Sequence, residues 1–461
     1  MLHDVITPLK KQFTAGATTE LRSQRNLNRR VVIQGGRIVA NTRQEQAGVN
    51  ARVNRGGVYG FASAANLSKE GAQQVLKDAA RNAEVLARHQ LNPKGAMPAI
   101  QQGLRPVDPD MVDLPQQYYI DYLKELDNYI AKKYPGLASR TVVSSCDSME
   151  KLLVTSDGYS AHTIAPRGYV YVILTQNTKD GVPVDMFEAF GGRGTFDKNF
   201  IEPSTLHEKI DQVYENLMKK TEGVYAEAGV KTVILNGMMA GMLAHEAVGH
   251  TVEADLVLAG SVAGPMLGKQ VASPLISLTD FAHTAFGQTA PLPVYVDDEG
   301  VKADDVVLIK DGILTGYMVN RELGEKFGME PKGNARAWAF SDEPLIRMRN
   351  TVILPGKDKL EDMVASIDDG YYLIHSGNGQ ADATGEFMFG VTMGYEIKNG
   401  KLGKALLDTT VSGVAFDMLK SVSMVSDKMY WSSSGFCGKK QPMSVSMGGP
   451  DIKCQITIGG R

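Results

Sequence analysis

The chain has 461 residues, 43% hydrophobic and 22% charged, with a formal net charge of −3. That length allows two or three domains with ample cores, and the near-neutral balance excludes a chain drawn as a whole to nucleic acid. Three cysteines, Cys146, Cys437 and Cys454, are too few for a disulfide scaffold and suit a reducing, cytoplasmic setting, where a thiol is core filler, nucleophile or metal ligand.

The amino terminus carries no basic leader before a long apolar stretch, so no signal peptide is expected. Arg22, Arg25, Arg29, Arg30 and Arg37 form a local basic run that reads as a solvated face rather than a nucleic-acid patch. Strands are expected over 30–39 and 49–61, the latter pivoting on Gly56-Gly57. Ser68 caps a helix running to about Arg88, with its apolar residues on one face. Residues 91–115 carry five prolines and form the best linker candidate in this half. An amphipathic helix follows over 116–134, then an antiparallel meander over 140–190 with turns at Asp157-Gly158 and Asp180-Gly181. A further helix is expected over 204–228.

Beyond residue 230 the chain turns strand-rich after a single helix. Strand or hairpin signals lie at 292–296, 306–312, 371–374 and 389–400, with glycine recurring as it does at the tight corners of barrel-like sheets. The longest nearly apolar run, 233–244, is broken by Asn236 and glycines and is too short to span a bilayer. Neither a membrane nor nucleic acid is expected as a direct partner.

That run ends in His245-Glu-Ala-Val-Gly-His250. Two imidazoles and a carboxylate are what a zinc hydrolase draws from one helix: two neutral nitrogen ligands and a base. The familiar zinc-peptidase spacing places the histidines four apart. Here they are five apart, about 140° out of phase on a regular α-helix. A π-bulge or a break between Ala247 and His250 would realign them, at a point where Gly249 tolerates distortion. A chance His-Glu-x-x-x-His arises in on the order of one sequence in a hundred of this length, so two histidines satisfying local hydrogen bonds remain the plain alternative. Glu253 reads either as an acceptor orienting an imidazole or as a solvated helix residue. A catalytic zinc needs a third protein ligand and one open position. Cys454 falls in an ordinary strand pattern and Cys146 lies between strand-like segments. Cys437, in a Gly/Ser-rich loop, stands slightly ahead of both as a thiolate. Arg321, Arg336 and His375 are candidates for oxyanion stabilisation, each equally well explained as structural.

These segments together resemble the TldD/PmbA family, the so-called modulators of DNA gyrase, and within it the metal-bearing TldD-like branch. The resemblance rests on His245 to Glu253 and on Phe436-Cys437-Gly-Lys. Val296-Asp-Asp-Glu-Gly300, Ser376-Gly-Asn-Gly-Gln, Thr384 to Gly390 and residues 57–63 extend it across essentially the whole chain. It implies an α+β protein, with an N-terminal α/β domain over 1–228, divisible at 91–115, and a β-rich, barrel-like domain over 229–461 carrying the motif helix. It also implies one Zn2+ per subunit on His245, His250 and Cys437, with Glu246 as general base. The implied activity is zinc-dependent hydrolysis of unfolded peptides or peptide precursors, by a homodimer or by a heterodimer with a metal-free paralogue. The rival readings are a nonenzymatic, metal-stabilised regulatory scaffold and a cysteine peptidase built on Cys437. The scaffold lacks the fourth protein ligand that closes a structural zinc site. The cysteine peptidase leaves Glu246 and the paired histidines unexplained.

Overall fold

The computed structural model describes residues 2–90, 97 and 114–459. Its N-terminal half is one six-stranded antiparallel sheet in the order β3-β2-β1-β4-β5-β6. The strands are β1 (Thr18–Gln34), β2 (Arg37–Arg55), β3 (Val58–Ala64), β4 (Ser139–Thr155), β5 (Ser160–Asn177) and β6 (Pro183–Arg193). The segments 30–39 and 49–61 are therefore not strands in themselves. Each straddles a hairpin whose turn is a glycine pair at positive φ, Gly35-Gly36 and Gly56-Gly57, a conformation that carries no steric cost without a Cβ. The proline-bearing linker falls outside the described residues except for positions 97, 114 and 115.

The two faces of this sheet have opposite chemistry. Leu21, Val49, Val53, Leu152 and Val154 pack under the helix Lys69–Arg88, whose cap is Ser68 accepting from the Gly71 amide at 3.0 Å. Val31, Val142, Val170 and Val172 pack under the helices Gln116–Lys133 and His207–Thr221. On β1 the intervening residues Glu20, Arg22, Gln24 and Asn26 are also buried, against the C-terminal half. Arg22, 1% exposed, donates to the carbonyls of Ala339 and Asp342 and lies 3.2 Å from Asp298. The basic run is a solvated face only at Arg30 and Arg37: Arg29 is buried, and strand alternation turns Arg22 inward, where carbonyls and a carboxylate meet it. The helix expected over 204–228 ends at Thr221, since beyond it the chain extends and the Val224 amide donates to the Ala405 carbonyl at 2.9 Å.

The C-terminal half begins with β7 (Gly229–Leu235). It pairs in parallel with Asp369–Ala381 and antiparallel with Ile452–Gly459. The ring closes through Thr409–Val414 and Glu386–Lys398 into a five-stranded barrel. A second, mixed sheet of six strands runs from Ile313–Leu314 at one edge to Met443–Gly449 and, at the other edge, Tyr430–Cys437. Residues 292–296 form no strand; among them only Val296 makes a bridge, to Lys302. No helix among the described residues is long and apolar enough to cross a membrane.

Between barrel and mixed sheet lies the segment that follows β7. Asn236 caps the helix Gly237–Met242 by accepting from the Met239 amide at 3.0 Å. Met239, Leu243, Ala244 and Val248 share one core with Leu235, Phe389 and Val411 of the barrel and Leu278 and Ile353 of the mixed sheet. At Gly241 an added Cβ would sit 2.6 Å from the backbone of Gly448. Gly241→Ala should therefore lift this helix from the strand Met443–Gly449 and lower stability by about 1–3 kcal/mol, as overpacking does. Urea unfolding of the two proteins measures this, and equal midpoints would contradict the packing.

Candidate metal centre

The helix Gly237–Met242 does not continue as α-helix. Residues Leu243–Gly249 form a π-helical turn, followed by the 3-10 turn His250–Val252. The amide of His250 donates to the carbonyl of His245, five residues back. That wider turn brings the two imidazoles to one side, with ring centroids 5.1 Å apart. The distortion begins at Leu243, earlier than the expected break at Ala247. Gly249 is needed for a different reason from the one expected. Its φ of −53° is ordinary, but a Cβ there would lie 2.0 Å from the Met348 sulfur. Room, not backbone freedom, selects glycine.

The third residue arrives from the far end of the chain. Cys437 is not in a loop; it ends the strand Tyr430–Cys437, held by its neighbours' backbone and by Arg347, which donates to the carbonyls of Cys437, Lys439 and Gln441. Donor atoms of His245, His250 and Cys437 all lie within 4.8 Å of one another. The Cys437 sulfur is 3.2 Å from His250 Nε2. The Glu246 carboxylate lies 3.8 Å from the same nitrogen, with its side chain 21% exposed, so it borders the cluster and still reaches solvent.

The two histidines are held differently. His250 Nδ1 is 2.7 Å from Glu253 Oε2, which fixes Nε2 as the nitrogen facing Cys437. Glu253 is fully buried rather than solvated, and Lys439 Nζ sits 3.2 Å from the same carboxylate oxygen. Lys439 is itself fixed by Asp255 at 2.9 Å and the Ile346 carbonyl at 3.0 Å. His245 is fully buried, and neither of its ring nitrogens makes a conventional hydrogen bond among the described residues. Burial alone would raise the Cys437 thiol, but the approach of the His245 and His250 ring nitrogens to its sulfur, together with their charge, outweighs it and brings it down to about 4. Burial likewise opposes charge on His250, yet Glu253 and Cys437 raise it to about 10.

This donor set fits a borderline divalent metal. A thiolate and two imidazoles favour zinc over hard cations, and a metal ion would take one of the two His245 nitrogens, which have no conventional hydrogen bond among the described residues. The cysteine alternatives are elsewhere: Cys454 is buried in the barrel core and Cys146 is half-buried in the N-terminal sheet, both with thiols pushed up by desolvation to about 12. Arg321 pairs with Glu20 at the seam between the halves, Arg336 donates to the Met348 carbonyl, and His375 lies 3.7 Å from Glu188 of β6. None joins the cluster. Lys439 and Arg347 were invisible from spacing, although Lys439 stands only two residues past Cys437.

Residues 228–460 match the PmbA/TldA metallopeptidase C-terminal domain, and residues 19–83 match PmbA/TldA metallopeptidase domain 1. A zinc metalloprotease TldD homolog of Saccharolobus solfataricus is 36% identical over 257 residues, 54% of this chain and 57% of that protein. A metalloprotease TldD homolog of Buchnera aphidicola is 29% identical over 96% of this chain and 92% of that one. The solved structure of TldE from Thermococcus kodakarensis covers both chains in full with a TM-score of 0.78 at 18% identity, a likeness of fold alone.

If Glu253 orients His250 as a ligand, Glu253→Gln should weaken zinc affinity by about 10–100-fold, the usual cost of losing such a partner. Competition with a chromophoric chelator reads this directly; wild-type affinity in the variant would mean that Glu253 serves the fold only.

Proposed function

The chain belongs to the TldD/PmbA metallopeptidase family, and from that premise we propose that it hydrolyses peptide bonds in unfolded peptides or peptide precursors, with zinc held by His245, His250 and Cys437. The observation that carries this reading is the convergence of those three donors, from opposite ends of the C-terminal half, beside the half-buried carboxylate of Glu246.

Zinc bound there supplies Lewis acidity, polarising a peptide carbonyl and making a water easier to deprotonate. The remaining work belongs to side chains. Glu246 accepts the proton of the attacking water and returns it to the departing amine. A thiolate donor offsets more of the ion's charge than a third imidazole would, which raises the demand on that base. Glu253 and Lys439 keep the His250 ring from turning. A regulatory scaffold would have no use for a carboxylate beside the donor atoms, and this disfavours the nonenzymatic reading.

A peptidase acting on unfolded chains must grip backbone. Among the described residues, Tyr430–Cys437 pairs only with Met443–Gly449 and ends at the cluster. A substrate added as a further strand along that edge would run towards the donor atoms. The cytoplasm as working compartment, and a dimer with itself or with a metal-free paralogue, remain part of this proposal and rest on composition and on the family resemblance.

Glu246→Ala should retain metal yet lose cleavage of an unstructured peptide by about 10²–10⁴-fold, the usual worth of a general base. Metal content by elemental analysis and peptide turnover by chromatography give the two readings. Equal turnover in both proteins would end the mechanism. Chelation should also abolish turnover, whereas a thiol nucleophile would survive it.

A further inference from the structure

A concave feature lies on the seam between the two halves, lined by none of the donor-cluster residues. It is a cavity of about 230 Å³, walled by apolar residues of β4, β5 and the segment 291–296. Its charged lining consists of Lys151, Arg167, Arg193, Arg336, Asp297 and Asp298. Most of these charges are already matched. Lys151 pairs with Asp298 at 2.7 Å, and Arg167 with Asp147 at 2.7 Å. Asp297 accepts the amides of Glu299, Val301 and Ala335.

Arg193, exposed at the end of β6, and Arg336 make no such pair among the described residues, and of the two Arg336 is the buried one. Only 9% exposed, it donates to the Met348 carbonyl at 2.6 Å, and among the described residues no carboxylate lies in ion-pair contact with it. Burial and the nearby Arg347 bring its pKa down to about 9, against the opposing pull of Asp298 and Asp280, neither of which is in contact with it. A buried guanidinium is an unusual thing to leave unpaired, and its planar fork suits a carboxylate.

We propose that this cavity is a carboxylate-binding subsite, in which Arg336 takes the carboxylate of a substrate residue and the apolar walls take an aliphatic group attached to it. The buried guanidinium of Arg336 offers its fork to a monovalent carboxylate, while a phosphate's second charge would face Asp298. The size suits a branched aliphatic side chain, since apolar cavities of about 150 Å³ already admit benzene. Two intermediaries link the cavity to the donor cluster. Arg336 is bonded to the backbone of Met348, whose sulfur packs on Gly249, and Arg167 lies over the ring of Phe436, the neighbour of Cys437. That the ligand is part of a peptide rests on the hydrolase reading above; that the cavity binds a carboxylate does not.

The test is calorimetric titration of the metal-loaded, full-length protein with 4-methylpentanoate and with its uncharged analogue 4-methylpentan-1-ol. The acid should bind at least about 10-fold more tightly, and Arg336→Met should erase that preference. Ala165→Phe, which fills the cavity from an exposed lining position and keeps Arg336, should block the acid as well. Equal affinity for acid and alcohol overturns the proposal, as does wild-type binding of the acid by either variant. If Arg336→Met fails to fold, Ala165→Phe decides alone. Two further arms, N-acetyl-leucine and N-acetyl-aspartate α-amide, separate a C-terminal from a side-chain carboxylate; binding of neither also overturns it. Neither 4-methylpentanoate nor its alcohol contains a peptide bond, so a protein that cleaves nothing can still pass, and the two readings fail separately.

Discussion

Everything at the centre depends on one steric constraint, the seating of the segment Gly237–Gly249 between barrel and mixed sheet. Gly237 and Gly241 let the helix lie against the backbone of Gly448 and Gly449, and Gly249 leaves room for Met348. With three glycines marking the contact line, the turn between His245 and His250 has little choice of position. The same contact sets where Cys437 must be, because its strand, Tyr430–Cys437, is hydrogen-bonded to Met443–Gly449. Residues 187 positions apart thus meet because one helix and one strand approach at backbone distance.

The second constraint is the polar seam. Arg22, Asn26, Asn50 and Lys151 of the N-terminal sheet bond to carbonyls of 337–342 across a buried surface, and Arg52 pairs with both Glu20 and Glu299. Such a surface contributes little net stability, since each buried charge gives up its hydration. What it contributes is directionality. An apolar seam would tolerate sliding, whereas guanidinium and amide groups aimed at particular carbonyls fix one orientation of the sheet over the C-terminal half. The edge strand and the cavity both border this seam, so their shape is set by it.

The motif helix, the meander, the Ser68 cap and the strand-rich second half were legible because each rests on local pattern: capping chemistry, alternation and turn dipeptides. The five-residue histidine spacing was legible as a demand for a wider turn, and Leu243–Gly249 meets it. What pattern could not supply was anything decided by a distant partner. Arg22 looked solvated because its carbonyl partners lie more than 300 residues away. Residues 292–296 looked like a strand, yet they line a cavity instead of a ladder. Lys439 and Arg347 support the cluster through backbone and carboxylate contacts that leave no periodic trace.

The two imidazoles show two solutions to one problem. A metal-binding ring must be held within a narrow range of orientation before the ion arrives. His250, at the edge of the cluster, is held by chemistry: Glu253 on one nitrogen, and Lys439 and Asp255 behind that carboxylate. His245 has no such chain and is held by enclosure, its neighbours Ala244 and Ala247 being fully buried in the core shared by barrel and mixed sheet. The cost of that second solution is a ring whose nitrogens make no conventional hydrogen bond among the described residues, on the order of 1–3 kcal/mol for each polar group left without a partner, and a metal ion relieves one of the two. A core position would ordinarily be filled by an aliphatic side chain and avoid this penalty. Retaining an imidazole there makes sense only if a ligand compensates it, so the interior of the fold, more than its rim, argues that the cluster is built around a metal ion.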